Sequence, residues 1–249
     1  MMKSAFPFCI LLVMLVQTVM GQNAKEIVES AYDKMRGENS YSRMEMKIIR
    51  PSWERTIRFK TWTKGTEYSL ALITAPAREE GKTYLKRGDE MWSWSPSINR
   101  MIKLPPSMMS QGWMGSDYTN DDLINEASIV DEYTHEMAGE DTIRNMACYK
   151  IRLTPTEEAA VVWGEIMMWI SKKGNYEMKA LYYDEDDDLV KTHLSYEIKT
   201  LGDRRIPSKF EIIPEEEKNK RTVVEIKEMD FDVQFNEKFF SQQNMKRVR

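Results

Sequence analysis

The sequence predicts a mainly β fold of the α+β class: one long antiparallel sheet with a few helices covering its apolar face. Three observations carry that expectation. Apolar and polar residues alternate with period 2 through most of the chain, the pattern of strands buried on one face. The breaks between these runs are mostly short, charged or glycine-bearing, as hairpin turns require. Only one stretch keeps a helical period over several turns. The bulk composition is compatible with a single domain: 249 residues, 41% hydrophobic and 31% charged, match neither a disordered tail nor a multi-span membrane protein.

The amino terminus reads as a targeting segment. Met1-Met2-Lys3 gives a basic start, Ala5 to Val16 is apolar throughout, and Val19 and Gly21 precede a cleavage point. A membrane-spanning helix needs about 20 apolar residues, and this run ends sooner. Cleavage after Gly21 is expected, leaving residues 22–249 as one domain; the alternative is a retained anchor. Removal of 1–21 takes Lys3 and Cys9 with it. The net charge of −4 becomes one unit more negative, and Cys148 is left as a lone thiol. In the strand-like run ACYKIRL that thiol reads as buried and inert. An acidic balance also argues against general nucleic-acid binding.

Residues 23–36 predict an amphipathic helix. Ala24, Ile27, Val28, Ala31, Tyr32 and Met35 fall on one face, with Asn23 as the starting cap and Gly37 at the end. The period then changes. Met44, Met46 and Ile48 alternate with Arg43, Glu45 and Lys47, and Ile57, Phe59 and Thr61 alternate with Arg58 and Lys60. Tyr68, Leu70 and Leu72 follow. Residues 83–86 and 91–95 flank Arg87-Gly88-Asp89-Glu90, a hairpin signal. Further strands are expected at 98–104, 133–140, 148–154, 165–171, 178–183, 189–200, 209–213 and 222–231. Three stretches break the rhythm. Residues 105–122, PPSMMSQGWMGSDYTNDD, are too long for a hairpin loop. Residues 155–163, PTEEAAVVW, read as a short helix. The tail 237–249 reads as a closing helical turn, with Phe239 and Phe240 packing inward.

Catalytic chemistry does not emerge from the motifs. Gly81-Lys82-Thr83 looks like the end of a phosphate loop, but the required earlier glycine is Pro76. His135-Glu136 lacks a second histidine one helical turn on, and His193 sits in a strand pattern, so neither is read as a metal ligand. Asp184 to Asp188 reads as a solvated acidic turn, and Arg87-Gly88-Asp89 as a common turn tripeptide. No catalytic residue, cofactor or metal site is expected.

Apolar chemistry remains. Trp92 and Trp94 share a face of one strand, as do Ile102 and Leu104 on the next and Met167 and Trp169 further on. Ile57, Phe59, Leu70, Leu72, Tyr149, Ile151 and Leu153 extend the stripe. The helical content looks too small to cover a sheet of about eleven strands. The two outcomes are a curved sheet around a partly empty apolar hollow, or a hollow filled by helices and Trp side chains. Met101, Met108, Met109, Trp113 and Met114 cluster in and beside the irregular segment. Thioethers repack around varied chains, which suits a lid over such a hollow, although they are also ordinary core filler.

MEMKIIRP, then ALITAPAREEGKTYLKRGDEMWSWSPSINRMIKLP, then GSDYTNDDL, then MDFDVQFNEKFFS occur in an order and spacing that resemble the outer-membrane lipoprotein-sorting (LolA-like) group of Gram-negative periplasmic proteins. The resemblance covers almost all of the chain after residue 21. It implies an unclosed half-barrel, a strongly curved antiparallel sheet with helices on its concave side. It implies a hollow that takes acyl chains of lipoproteins in transit, without enzymatic chemistry. A periplasmic monomer would receive cargo from an inner-membrane donor complex and pass it to an outer-membrane acceptor. In the group an early-strand arginine ties down the cover; Arg50, Arg55 and Arg58 are all placed for that role. GSDYTNDDL belongs to a broader branch, which keeps free lipid beside lipoprotein as cargo. A related fold in a periplasmic stress regulator gives the alternative: a lipid-sensing regulatory or interaction module.

Overall fold

The computed structural model describes residues 24–125, 128–159, 161–217 and 219–249. The expected targeting segment, its cleavage point and the cap Asn23 lie outside the described residues. Helix α1 covers 24–36 and buries Ala24, Val28 and Ala31, three positions on the predicted face. Gly37 ends it in the left-handed conformation, φ 68°, and its amide donates to the Asp33 carbonyl at 2.8 Å.

From there the chain makes two meanders. The first comprises β1 (Asn39–Arg50), β2 (Trp53–Lys64), β3 (Tyr68–Ala75), β4 (Thr83–Arg87), β5 (Glu90–Ser95) and β6 (Arg100–Lys103). The second comprises β7 (Tyr133–Ile143), β8 (Met146–Pro155), β9 (Glu165–Ser171), β10 (Glu177–Tyr183), β11 (Leu189–Leu201), β12 (Arg204–Pro214) and β13 (Arg221–Phe231). They join in one open sheet of 13 strands, ordered β6-β5-β4-β3-β2-β1-β13-β12-β11-β10-β9-β8-β7. Adjacent strands are antiparallel, and the seam between the meanders is β1 against β13. The sheet is not closed into a barrel. Register shifts at Arg43/Met44, Arg58/Phe59, Glu177/Lys179 and Met137/Gly139 mark bulges. Each adds local twist and bends the sheet.

The expected runs each contain a strand, but two details differ. The run at 98–104 is a strand only over Arg100–Lys103, because Pro96 starts a 3-10 turn (Pro96–Ile98) closed by Asn99 at φ 50°. The stretch 155–163 is not a helix. Its described residues make turns, with the Thr156 amide on the Glu132 carbonyl and the Ala159 amide on Thr156.

The strand order fixes what lies over the concave face. β6 and β7 follow each other in the chain yet occupy opposite edges, so the connection 104–132 must cross the sheet. It does so as a strap with 3-10 turns at Pro106–Met108 and Trp113–Gly115, then α2 (Asn120–Asn125) and α3 (Ser128–Asp131). The strap packs on the first half. Helix α1 packs on the second half, against Ile151, Leu153, Ile166, Met168 and Ile170. The opposite face of the first half is covered too. There the tail, with a 3-10 turn at Glu237–Phe239 and α4 (Gln242–Met245), buries Phe240 and Met245 completely against Trp62, Leu70, Leu85 and Trp94. Burial of such side chains stabilises by about 1.5–3 kcal/mol each.

Candidate functional site

The strap is shaped by its own hydrogen bonds before it meets the sheet. The Trp113 amide donates to the Tyr118 carbonyl at 2.6 Å, and Asn120 Nδ2 donates to the carbonyls of Met108 at 2.9 Å and Gln111 at 3.2 Å. Gly112 is required here, since a Cβ would lie 2.3 Å from the Ser116 carbonyl oxygen. Trp113 then inserts edge-on between Phe59 and Tyr84, with ring centroids 5.3 and 5.4 Å away. Tyr84 is buried enough for its hydroxyl to be pushed up to about 12, and it donates to Met114 Sδ at 2.7 Å.

Charged groups fasten this strap to the sheet. Arg50 on β1 forks onto Asp117, Nη2 to Oδ1 at 2.9 Å and Nη1 to Oδ2 at 3.1 Å, and also donates to the Gly115 carbonyl at 3.0 Å. The Thr222 hydroxyl on β13 donates to the same carboxylate at 2.7 Å. Arg55 on β2 donates to the Met114 carbonyl. Arg58 instead pairs with Glu45 in the open at 2.8 Å. Two of the three candidate arginines therefore hold the cover, and Arg58 does not. At the far end Lys191 on β11 bonds both oxygens of Asp122 at 2.7 Å, and the two side chains are only 5% and 10% exposed. Burial pushes Asp122 up, but the Lys191 ammonium outweighs it and the carboxyl stays below its usual range. Burial also pushes Lys191 down, which Asp122 offsets only in part. The ammonium lies over the Trp163 and Tyr182 rings at 4.2 and 4.8 Å.

Between the strap, α1 and the concave sheet lies a hollow of about 370 Å³. That is within the ~300–1,000 Å³ range of sites that enclose small ligands. Its walls are largely apolar: Met44, Met46, Phe59 and Trp113 from one side, Tyr133, Trp163 and Tyr182 from the other. His193 is also in the wall, 4.4 Å from the Tyr182 ring, with its Nε2 unpartnered among the described residues. Burial, reinforced by Lys191, pushes its imidazole down to about 3.

Of the residues expected to line a hollow, Phe59 and Trp113 do so. Ile57 and Leu104 are buried in the same cluster under the strap, against which Met109 and Met114 pack; Met108 is half-buried. Tyr149 packs at the edge of the cluster beneath α1. The others need correcting. Leu70, Leu72, Trp92 and Trp94 belong to the cluster under the tail, on the opposite face. Met167 and Trp169 also face away, packing with Cys148, Tyr176 and Met178 while Trp169 Nε1 donates to Asp141 at 3.0 Å. Ile102 is 38% exposed on an edge strand. The reason is geometric. On β3 it is Ala71, between Leu70 and Leu72, that lines the hollow. Large side chains fill space, so the empty side of a strand is the one with small residues. Ser40 and Ser42 leading into Met44 and Met46 was the available signal, and sequence reasoning passed over it.

Other motifs resolve as structure. Cys148 is buried and its thiol is pushed up by burial. His135 Nε2 is 3.0 Å from the Ile129 carbonyl. The Asp184 carboxylate accepts the amides of Asp186 and Asp188, both at 3.0 Å, and so organises its own turn. Among the described residues no helix is long and apolar enough to cross a membrane.

A family model described as "Uncharacterized protein" matches residues 65–247. No curated protein matches. Among solved structures, the chain is similar to a DUF1329 family protein from Desulfovibrio piger, with 24% identity and a TM-score of 0.82 over 91% of this chain and 99% of that one. A LolA superfamily protein from Nitrosomonas europaea has 21% identity and a TM-score of 0.75, covering 89% and 98%. A putative outer membrane lipoprotein-sorting protein domain from Vibrio parahaemolyticus has 18% identity and a TM-score of 0.77, covering 91% and 100%. At these identities the likeness is one of fold.

Proposed function

The chain belongs to that family of uncharacterized proteins and is LolA-like in fold, and we propose that it is a periplasmic carrier of acyl chains. The cargo is lipoprotein or other lipid, held in the hollow and moved toward the outer membrane. The observation that supports this reading is the hollow itself, walled by methionines and aromatic rings under two covers. Methionine adapts to chains of different shape at little cost. The reading assigns the protein a binding task, with no cofactor and no reaction. It works as a monomer starting at Gln22, between an inner-membrane donor complex and an outer-membrane acceptor. In this reading the strap over 105–122 is the part that moves, because charged and polar groups carry much of its attachment to the sheet.

Mass spectrometry of organic extracts from gently purified protein tests the carrier reading. Acyl species near stoichiometric amounts are expected. An extract no richer in lipid than that of an unrelated periplasmic protein ends it. Hydrogen exchange tests the strap. Residues 105–122 should gain protection when a long-chain amphiphile binds, while the turn 184–188 stays unchanged. Equal protection in both states, with binding confirmed, makes the strap a rigid plug.

A further inference from the structure

The wall of the hollow contributed by β1–β4 is graded along the strand direction. Register neighbours form rows across the sheet. Lys86, Ser69, Thr63 and Ser40 make one row, and Tyr84, Ala71, Thr61 and Ser42 the next. Phe59 and Met44 follow, beside Ile73, then Met46, beside Ile57; Ile73 and Ile57 themselves are buried under the strap. Successive rows are two residues, or roughly 7 Å, apart. The first two rows carry hydroxyls and the last two carry only carbon and thioether, beneath Trp113. Exposed Thr66 and the cations Arg36 and Lys86 stand at the hydroxyl end.

Pairing with one another uses only half of these donors. Ser40 Oγ and Thr63 Oγ1 are 2.7 Å apart, and Ser42 bonds Thr61 in the same way. A hydroxyl has one proton to donate, so in each pair one proton closes the bond and the other has no acceptor among the described residues. Ser40 and Ser42 are 4% and 1% exposed, and all four side chains line the hollow. Donors so withdrawn from water gain by meeting an acceptor.

We infer that the two hydroxyl pairs form a subsite for the ester carbonyls at the head of a diacylglyceryl unit, with its acyl chains running toward Trp113. The spacing suits it: two donors one row apart, followed at once by apolar wall. A hydrocarbon alone would leave both donors unmet. The unit is common to phospholipids and to acylated lipoproteins, so the chemistry is shared and the source is for experiment. The inference rests on the carrier reading and adds to it the orientation of the cargo and the linkage recognised.

The experiment displaces a fluorescent fatty-acyl probe from the full chain with dioleoyl phosphatidylglycerol, with its ether-linked analogue, and with a diacylated lipopeptide. The ester lipid should bind about tenfold tighter than the ether, the worth of one to two net hydrogen bonds. The double variants Ser42→Ala/Thr61→Val and Ser40→Ala/Thr63→Val should each bring that ratio closer to one, by weakening the ester lipid and tightening the ether. Removing both partners together leaves no broken pair, so the fold should tolerate it. With the ester lipid favoured about tenfold, the subsite is supported, and whether the lipopeptide or the phospholipid displaces the probe more tightly identifies its source. A wild-type ratio near one, with both lipids bound, overturns the subsite and leaves the carrier reading standing; it needs no variant. A ratio unchanged in both variants overturns it equally. Failure of every lipid to bind removes the carrier reading as well.

Discussion

The two covers of the concave face are held in opposite ways. Helix α1 is fixed by apolar packing, with Ala24 and Val28 fully buried, and by a few rim contacts such as Lys34 to the Gly174 carbonyl at 2.8 Å. The strap also buries Trp113 and packs Met109, Met114, Tyr118 and Leu123, but charged groups carry much of its attachment: the ion pairs Arg50–Asp117 and Lys191–Asp122, and the Arg55 hydrogen bond to the Met114 carbonyl. Apolar packing over a broad face is lost only with the fold. A few desolvated ion pairs can be broken one at a time, each with a direct effect on its own segment. One cover is therefore part of the core, and the other is an attachment to it.

The largest expected effect comes from attacking the packed cover. Val28→Asp places a charge where no partner waits and should cost about 4 kcal/mol or more, read as a large fall in the urea midpoint of the whole domain. A substitution that leaves the midpoint unmoved would show α1 to be dispensable. Asp117→Ala should come next. It strands Arg50, a loss of about 3 kcal/mol, but hydrogen exchange should place that loss in residues 105–123 and spare β8–β10. Uniform loss across the domain would erase the distinction between the covers.

An acid-dependent effect follows. The folded value of His193, about 3, lies below its ordinary 6.5. Protons then favour the unfolded chain, so stability should fall as pH drops from 6.5 toward 3, by at most ~1.4 kcal/mol for each step of one in pH. His193→Phe keeps an aromatic ring against Tyr182 and should flatten that slope in urea titrations across the range. Asp122 would remain, its contribution lost only as pH falls through its own depressed value. An unchanged slope would assign the acid sensitivity elsewhere. The smallest effect is expected from Arg58→Ala. Its pair with Glu45 is exposed and should contribute less than about 1 kcal/mol, with no change in strap protection.

Strands were legible in the sequence because their period is local, and so was the hairpin turn at Gly88. The helix 24–36 was legible for the same reason. The inner face of β3–β5 was not. Leu70, Leu72, Trp92 and Trp94 announce a buried face but not which of two buried faces, and the tail that covers them lies about 150 residues further along the chain. Nor does any local pattern say that β1 pairs with β13, or that β6 and β7 end on opposite edges. The strap's crossing follows from that long-range pairing, so its irregularity was visible beforehand while its destination was not.

Each half of the sheet wears the terminus of the other. Helix α1 precedes β1 yet lies on β8–β10, and the tail follows β13 yet lies on β2–β5. During synthesis the first half therefore emerges with Trp62, Leu70, Leu85 and Trp94 bare, and stays so until residues 237–249 leave the ribosome. From the emergence of β5 until residues 237–249 follow, a nascent chain displays a broad apolar surface that the folded molecule covers, which favours aggregation unless a chaperone holds it. The same arrangement means that loss of residues 237–249 would bare that surface again in the folded molecule.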